Sequence, residues 1–276
     1  MGKIKIILIL TLILLSNLTM AKRYVGGDEW SRPRVTKKLF QTLDTNTKSL
    51  VLRTAKVVNK IKRKIGTAFL YQEELEHYIF LTNYHVISGE KECSESSLLL
   101  INEGHNKIVA KCDGVISIGS IKSGSDYLYF RIKKSEKLNF LSKLPSLNTK
   151  FSNPVAGDPL VTVGFGGGKA DLRRYDAKIA QDTDCIYLTG NMDIRFNKDK
   201  VRDVFFTACD AQSGDSGSAI MNRDTGEIIG LFFGVADQNR KNPLSTQEIW
   251  DNLGSDYLEF YTNSSMSIDL RAISLK

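Results

Sequence analysis

Between Leu50 and Ala236 the apolar positions come in short runs rich in Val, Ile, Phe and Tyr, broken by Gly, Asn, Asp and Ser. β-Branched and aromatic side chains fit a pleated surface and the interrupting residues suit tight turns, so the pattern predicts an all-β chain. Candidate strands are "SLVLRTAKVV", "GTAFLYQ", "HYIFLTN", "DYLYFRI", "PLVTVGF", "CIYLTG", "DVFFTA", "SAIMN" and "EIIGLFFGVA". Helical periodicity is confined to Ile268–Lys276 and a short piece around "TQEIWDNLG". The segment "KLPSLNTKFSNPVAGDPL" carries three of the five prolines and reads as the connection between two halves, 50–150 and 151–276. No internal repeat or low-complexity tract is present.

The N-terminus departs from this pattern. Lys3 and Lys5 precede an apolar run from Ile6 to Leu15 that ends in "SNLTMA", the layout of a secretory leader cleaved after Ala21. The run is too short to span a bilayer comfortably, which disfavours the alternative of an uncleaved anchor. Residues 1–21 are therefore expected to be a signal peptide and 22–49 an extension or propeptide ahead of the first β unit. Loss of Lys3 and Lys5 lowers the formal charge from +7 to +5. That charge is dispersed, and a run such as "KIKRK" reads as solvated surface, so no nucleic-acid partner is expected, nor a membrane once the leader is gone. The expected product is a secreted or periplasmic monomer.

Export changes the reading of the four cysteines, Cys93, Cys112, Cys185 and Cys209, which become disulfide candidates. Three pairings are open. Cys93 with Cys112 and Cys185 with Cys209 is favoured, because each pair is close in sequence and stays within one half. No C-x-x-C or H-x-x-x-H spacing supports a metal, and no cofactor is expected.

Three chemically demanding residues stand at the edges of predicted strands. His85 closes a strand at "TNYHV", Asp126 opens the alternating strand "DYLYFRI", and Ser216 lies in "SGDSGSA" between Gly214 and Gly217. Taken alone, each has a bland reading: a satisfied histidine, which is kept for His77 and His105, a turn aspartate, and the tip of a polar loop. Together they meet the needs of nucleophilic catalysis. A hydroxyl attacks at neutral pH only if a base takes its proton, the base needs a fixed tautomer, and the developing oxyanion needs donors. His85, Asp126 and the backbone N–H groups of Gly214 and Ser216 supply these requirements. Competing motifs fail on detail. G-x-S-x-G would need glycine where Ser218 stands, and a phosphate loop in "VGFGGGKA" would need glycine at Val163 and a hydroxyl at Ala170.

With "GTAFL" and "TNYHVI" around His85, "DYLYFRI" after Asp126, "VTVGFGG" at 161–167, and "GDSGSAI" followed by "IIGLFFG", the chain resembles the trypsin-like, chymotrypsin-fold serine proteases, particularly their secreted bacterial branch. The resemblance covers about residues 50–270. It implies two antiparallel six-stranded β-barrels meeting at an active-site cleft, His85 and Asp126 from the first and Ser216 from the second, with a short C-terminal helix. It also implies a serine endopeptidase acting on protein or peptide substrates. A catalytically silent module of the same fold that binds peptides is the alternative, and an esterase using the same machinery is a third.

The resemblance extends less fully to specificity and activation. Asp210 stands six residues before Ser216, the offset at which trypsin places its pocket-floor carboxylate, which implies a preference for Arg or Lys. Cys209 departs from trypsin, whose nearby cysteine falls between those two positions. Phe233 and Gly234, between Phe232 and Val235, lie on the strand that would line the pocket, so a large apolar residue is the other preference left open; the histidine of glutamate-specific members is missing there. "KRYVGGDEW" at 22–30 resembles a zymogen activation site, in which cleavage after Arg23 would free the amine of Tyr24 to pair with Asp215. The simpler role for Asp215 is to bond backbone groups and hold its turn.

Overall fold

The computed structural model describes residues 32–147, 153–196, 198–235, 245–253, 264–273 and 275. The leader, the segment around Arg23 and Tyr24, and the residues that follow Val235 lie outside the described residues.

Two short helices open the described chain, α1 (Lys37–Thr42) and α2 (Thr45–Arg53). α2 overlaps the first half of the expected strand "SLVLRTAKVV". The Asp44 carboxylate accepts the Thr47 N–H at its N-cap, and Leu50, Val51 and Leu52 are all buried. A contiguous apolar run reads as helix or strand equally well, and here the cap and the burial decide for helix. Strand begins only at Thr54.

The first sheet is built from β1 (Thr54–Asn59), β2 (Lys64–Glu73), β3 (His77–Thr82), β4 (Ser96–Ile101), β5 (Lys107–Lys111), β6 (Gly114–Gly119) and β7 (Tyr127–Lys133). Helix α3 (Glu90–Ser94) lies between β3 and β4. The strand order is β5-β4-β1-β2-β3-β7-β6, with every pair antiparallel. The second sheet comprises β8 (Leu160–Gly164), β9 (Lys178–Ala180), β10 (Tyr187–Phe196), β11 (Asp199–Thr207), β12 (Ala219–Asn222), β13 (Ile228–Val235) and β14 (Ser265–Asp269), in the order β10-β11-β14-β13-β12-β8-β9. Helix α4 (Thr246–Asp251) precedes β14, and α5 (Leu270–Ile273) ends it.

The sheets correct the expected pair of six-stranded barrels: each has seven strands, and among the described residues its two edge strands do not pair to close it. β5 is short and partly exposed and β9 is only three residues long, so both fall below the threshold of the apolar pattern. The helix expected from Ile268 begins at Leu270, because Ile268 and Asp269 pair with Leu231 and Gly230 in the sheet.

The centre of the first sheet is buried on both faces. Tyr78 and Phe80 of β3 pack into its own core with Leu98 and Phe130, while Ile79 and Leu81 join a second core that contains Val161, Val163 and Phe165 of the other half. That shared core brings the strand leading to His85 against the half that carries Ser216. The disulfides pair Cys93 with Cys112 and Cys185 with Cys209, the arrangement expected from sequence proximity.

Candidate active site

His85 sits in the turn that ends β3, where Val86 and Ile87 donate back to the Asn83 carbonyl. The turn is pinned from outside: Asn59 Nδ2 donates to the Val86 carbonyl at 2.8 Å and Lys62 Nζ to the His85 carbonyl at 3.2 Å, and both also bond Glu92. Gly66 is required beneath it, since a Cβ there would lie 2.5 Å from Val86 Cγ1. Asp126 precedes β7, which pairs with β3, so the sheet brings the two residues together. The Asp126 side chain is fully buried and reads both donors of the histidine: Oδ1 accepts the His85 backbone N–H at 3.0 Å, and Oδ2 lies 2.6 Å from Nδ1. The imidazole itself is 39% exposed. One carboxylate thus fixes both ring position and tautomer, with Nε2 left as the free nitrogen.

Ser216 is half-buried in the turn between β11 and β12. Gly214 and Gly217 on either side have φ of +105° and +93°, a conformation that side-chain-bearing residues rarely adopt. The turn is stitched to the first sheet through one residue the sequence did not single out, Thr67 of β2. Its N–H donates to the Ser216 carbonyl at 2.8 Å, its hydroxyl donates to the Gly214 carbonyl at 2.9 Å, and the same hydroxyl accepts the Phe165 N–H at 3.1 Å. Among the described residues neither the Gly214 nor the Ser216 N–H has a hydrogen-bond partner, so both remain as donors.

The Asp215 carboxylate, 3% exposed, is turned beneath this loop. It accepts the N–H groups of Gly166 and Gln212, each at 2.8 Å, which is the turn-holding role expected of it. It also receives the guanidinium of Arg32, a residue absent from the sequence reading: Nη2 donates to Oδ1 at 2.9 Å and Nη1 to Oδ2. The glycines of "VTVGFGG" make room for this carboxylate. A Cβ at Gly164 or Gly166 would fall 2.4 or 2.2 Å from its oxygens.

Asp210 is buried at 2% exposure beside Cys209 and Ala211, which cluster with Phe232. Phe233 points the other way, into the shared core, and Gly234 is part-buried beyond a bulge in β13. Asp210 lies in an acidic neighbourhood. Burial, then the hydrogen bond with Asp184, pushes the Asp182 carboxyl up to about 7, and the charge of Asp210 adds to the effect. A native carboxyl that holds its proton up to about 7, against about 3.9 when unfolded, makes the folded state the more protonated one, so stability falls as pH rises between those values and levels off above them. Asp182→Asn is therefore expected to melt close to wild type at pH 4 and a few degrees above it at pH 8; equal melting temperatures at pH 8 would refute this.

The other two histidines are not brought to the site. His77 Nε2 is 3.0 Å from Asp113, and His105 packs edge-on against Phe40.

A family model described as the trypsin-like peptidase domain matches residues 66–231, a span that includes His85, Asp126 and Ser216. No curated protein matches the chain. Among solved structures, the active form of the Rv3671c protease from M. tuberculosis aligns at TM-score 0.54 and 15% identity over 93% of this chain and 91% of that one. Deg5 aligns at TM-score 0.53 and 12% identity, covering 87% and 92%. The HtrA-type protease AlgW with a tripeptide aligns at 0.52 and 14%, covering 83% of this chain and 60% of that one. At such identities the structures speak for the fold alone.

Proposed function

The chain belongs to the family of trypsin-like peptidase domains and is a serine protease, and from that premise we propose that it is an exported endopeptidase whose catalytic residues are Ser216, His85 and Asp126. The observation that carries the assignment is the double engagement of His85 by the buried Asp126 carboxylate at 2.6 and 3.0 Å. In the proposed reaction Ser216 Oγ attacks the scissile carbonyl carbon while His85 Nε2 takes its proton. The carbonyl oxygen, now negative, accepts from the Gly214 and Ser216 N–H groups. His85 then returns the proton to the leaving nitrogen as the C–N bond breaks, leaving an acyl-enzyme that water cleaves by the same route. A preference for Arg or Lys at the cleaved bond is supported by the burial of Asp210 six residues before Ser216, in the acidic neighbourhood it shares with Asp182 and Asp184. Export is supported by the leader and by two disulfides, and no helix among the described residues is long and apolar enough to cross a membrane.

The test is a peptide mixture digested by the exported protein before and after treatment with a small aryl phosphonate. Cleavage that stops on treatment, a single adduct on Ser216, and cuts clustered after Arg and Lys are the expected results. An adduct elsewhere would overturn the site, and cuts after large apolar residues would overturn the role of Asp210. Binding of peptides without cleavage or adduct would favour a silent module.

A further inference from the structure

Asp215 presents an electrostatic problem that the catalytic residues do not solve. A carboxylate buried to 3% exposure is costly unless a cation and hydrogen bonds compensate it. Two backbone N–H groups contribute, but the charge itself is met by Arg32, 183 residues away in sequence. The guanidinium arrives on a strap. Residues 32–35 lie in extended form along β9, the edge strand of the second sheet: Ile179 N–H donates to the Pro33 carbonyl at 3.1 Å, Val35 N–H to the Ala177 carbonyl at 2.9 Å, and Arg34 bridges to Lys178. Val35 anchors the strap in the shared core, and the Arg34 guanidinium ties it to the Tyr175 carbonyl at 2.9 Å. The strap has one register, and that register delivers Arg32 beneath the nucleophile turn.

Position matters because Asp215 lies between Gly214 and Ser216, the two residues whose N–H groups face the reacting oxygen in the proposed reaction. Its own N–H and carbonyl close the turn, with Asp215 N–H donating to the Gln212 carbonyl at 3.0 Å and Ser218 N–H to the Asp215 carbonyl at 2.9 Å. A carboxylate deprived of its cation gains by turning towards water, and in leaving its place it gives up the Gly166 and Gln212 N–H groups that tie this turn to its surroundings. We propose that Arg32 is a positioning residue that, through Asp215, holds the Gly214–Ser216 turn in its oxyanion-binding form, so that the strap at 32–35 carries the activating cation within the chain. The inference rests on the serine-protease reading above. It also replaces the activation route suggested by "KRYVGGDEW": the carboxylate that a Tyr24 amine would seek is already paired, and no cleavage after Arg23 is required.

The test uses the exported full-length chain as wild type, Arg23→Gln, Arg32→Ala and Arg32→Gln, each followed by melting temperature, kcat, KM and the rate of phosphonate labelling at Ser216. Arg23→Gln is expected to match wild type. Both Arg32 variants are expected to lose about 10²-fold in kcat and in labelling rate, the scale of a lost oxyanion donor. In Arg32→Ala, millimolar guanidinium chloride is expected to restore at least about tenfold, where sodium chloride at equal ionic strength restores nothing. A loss of packing alone would not respond to the free cation. The proposal is overturned if a folded Arg32 variant keeps kcat within about threefold of wild type, if guanidinium fails to restore activity, if neither variant folds, or if Arg23→Gln is inactive. A wild type that neither cleaves nor labels at Ser216 overturns the protease reading and this inference with it.

Discussion

Asp126→Asn is expected to lower kcat by about 10⁴-fold while leaving the melting temperature near that of wild type, because the substitution inverts the tautomer of His85 without changing its packing. Asp126 Oδ1 faces the backbone N–H of His85 at 3.0 Å, and Oδ2 faces Nδ1 at 2.6 Å. A backbone N–H can only donate, so an asparagine must keep its oxygen on that side and turn its NH2 towards the ring. Nδ1 then becomes the acceptor, the ring proton moves to Nε2, and the nitrogen that takes the Ser216 proton in the proposed reaction is already occupied. The Asn83 side chain does not relieve the conflict, since it donates to the Asp126 main-chain carbonyl at 2.8 Å. Steady-state kinetics beside a thermal melt decide the matter. A folded variant that loses less than about tenfold would show that Asp126 does not set the tautomer, and would leave the proposed triad without its third member.

Some of this architecture was legible in the residues and some was not, and the division follows the range of the interaction. β3 stood out as a continuous apolar strand because it is covered on both faces, and β7 as an alternating one whose Arg131 and Lys133 reach solvent. His85, Asp126 and Ser216 were visible because strand ends and glycine-flanked turns advertise themselves locally. β5 and β6 escaped notice because half of each faces solvent, with Val109, Ile116 and Ile118 exposed. β14 escaped for the opposite reason. Its polar residues are buried, Ser265 donating to the Cys209 carbonyl and Asp269 accepting from the Asn191 amide, partners that no local pattern reveals. Thr67 and Arg32 belong with β14. Their partners lie 147 and 183 residues away, and a threonine in a strand or an arginine before a proline carries no mark of such a contact. The local trace is the glycine-rich stretch at 164–168, in which Gly164 and Gly166 leave the space that the Asp215 carboxylate occupies.

Gly217→Ala is expected to cost about 2–6 kcal/mol of stability and, in whatever fraction folds, to lower kcat on the order of 10³-fold. Two independent effects combine at this position. At φ of +93° any side chain strains the backbone. More severely, the new methyl would lie 1.9 Å from the Thr67 carbonyl oxygen and 2.5 Å from Thr82 Oγ1. A flexible side chain could swing aside, but the Thr67 oxygen belongs to the main chain of β2 and accepts the Thr82 hydroxyl at 2.6 Å, with the neighbouring Phe69 and Leu81 paired across β2 and β3. The Ser216 turn must therefore move, and the bonds it would surrender are Thr67 N–H to the Ser216 carbonyl and Gly217 N–H to the Phe232 carbonyl. The first holds Ser216 in register with the half of the molecule that carries His85, and the second ties the turn to β13 of its own sheet. Gly190→Ala on β10 provides the control, since nothing lies closer than 4.0 Å to its Cβ and the strand accepts alanine. Measured side by side by denaturant melts and turnover, Gly190→Ala should stay within about 0.5 kcal/mol of wild type while Gly217→Ala fails on both counts. Wild-type turnover in Gly217→Ala would mean that the turn can shift without disturbing the reacting groups, and the stitch through Thr67 would then be structural rather than catalytic in its consequence.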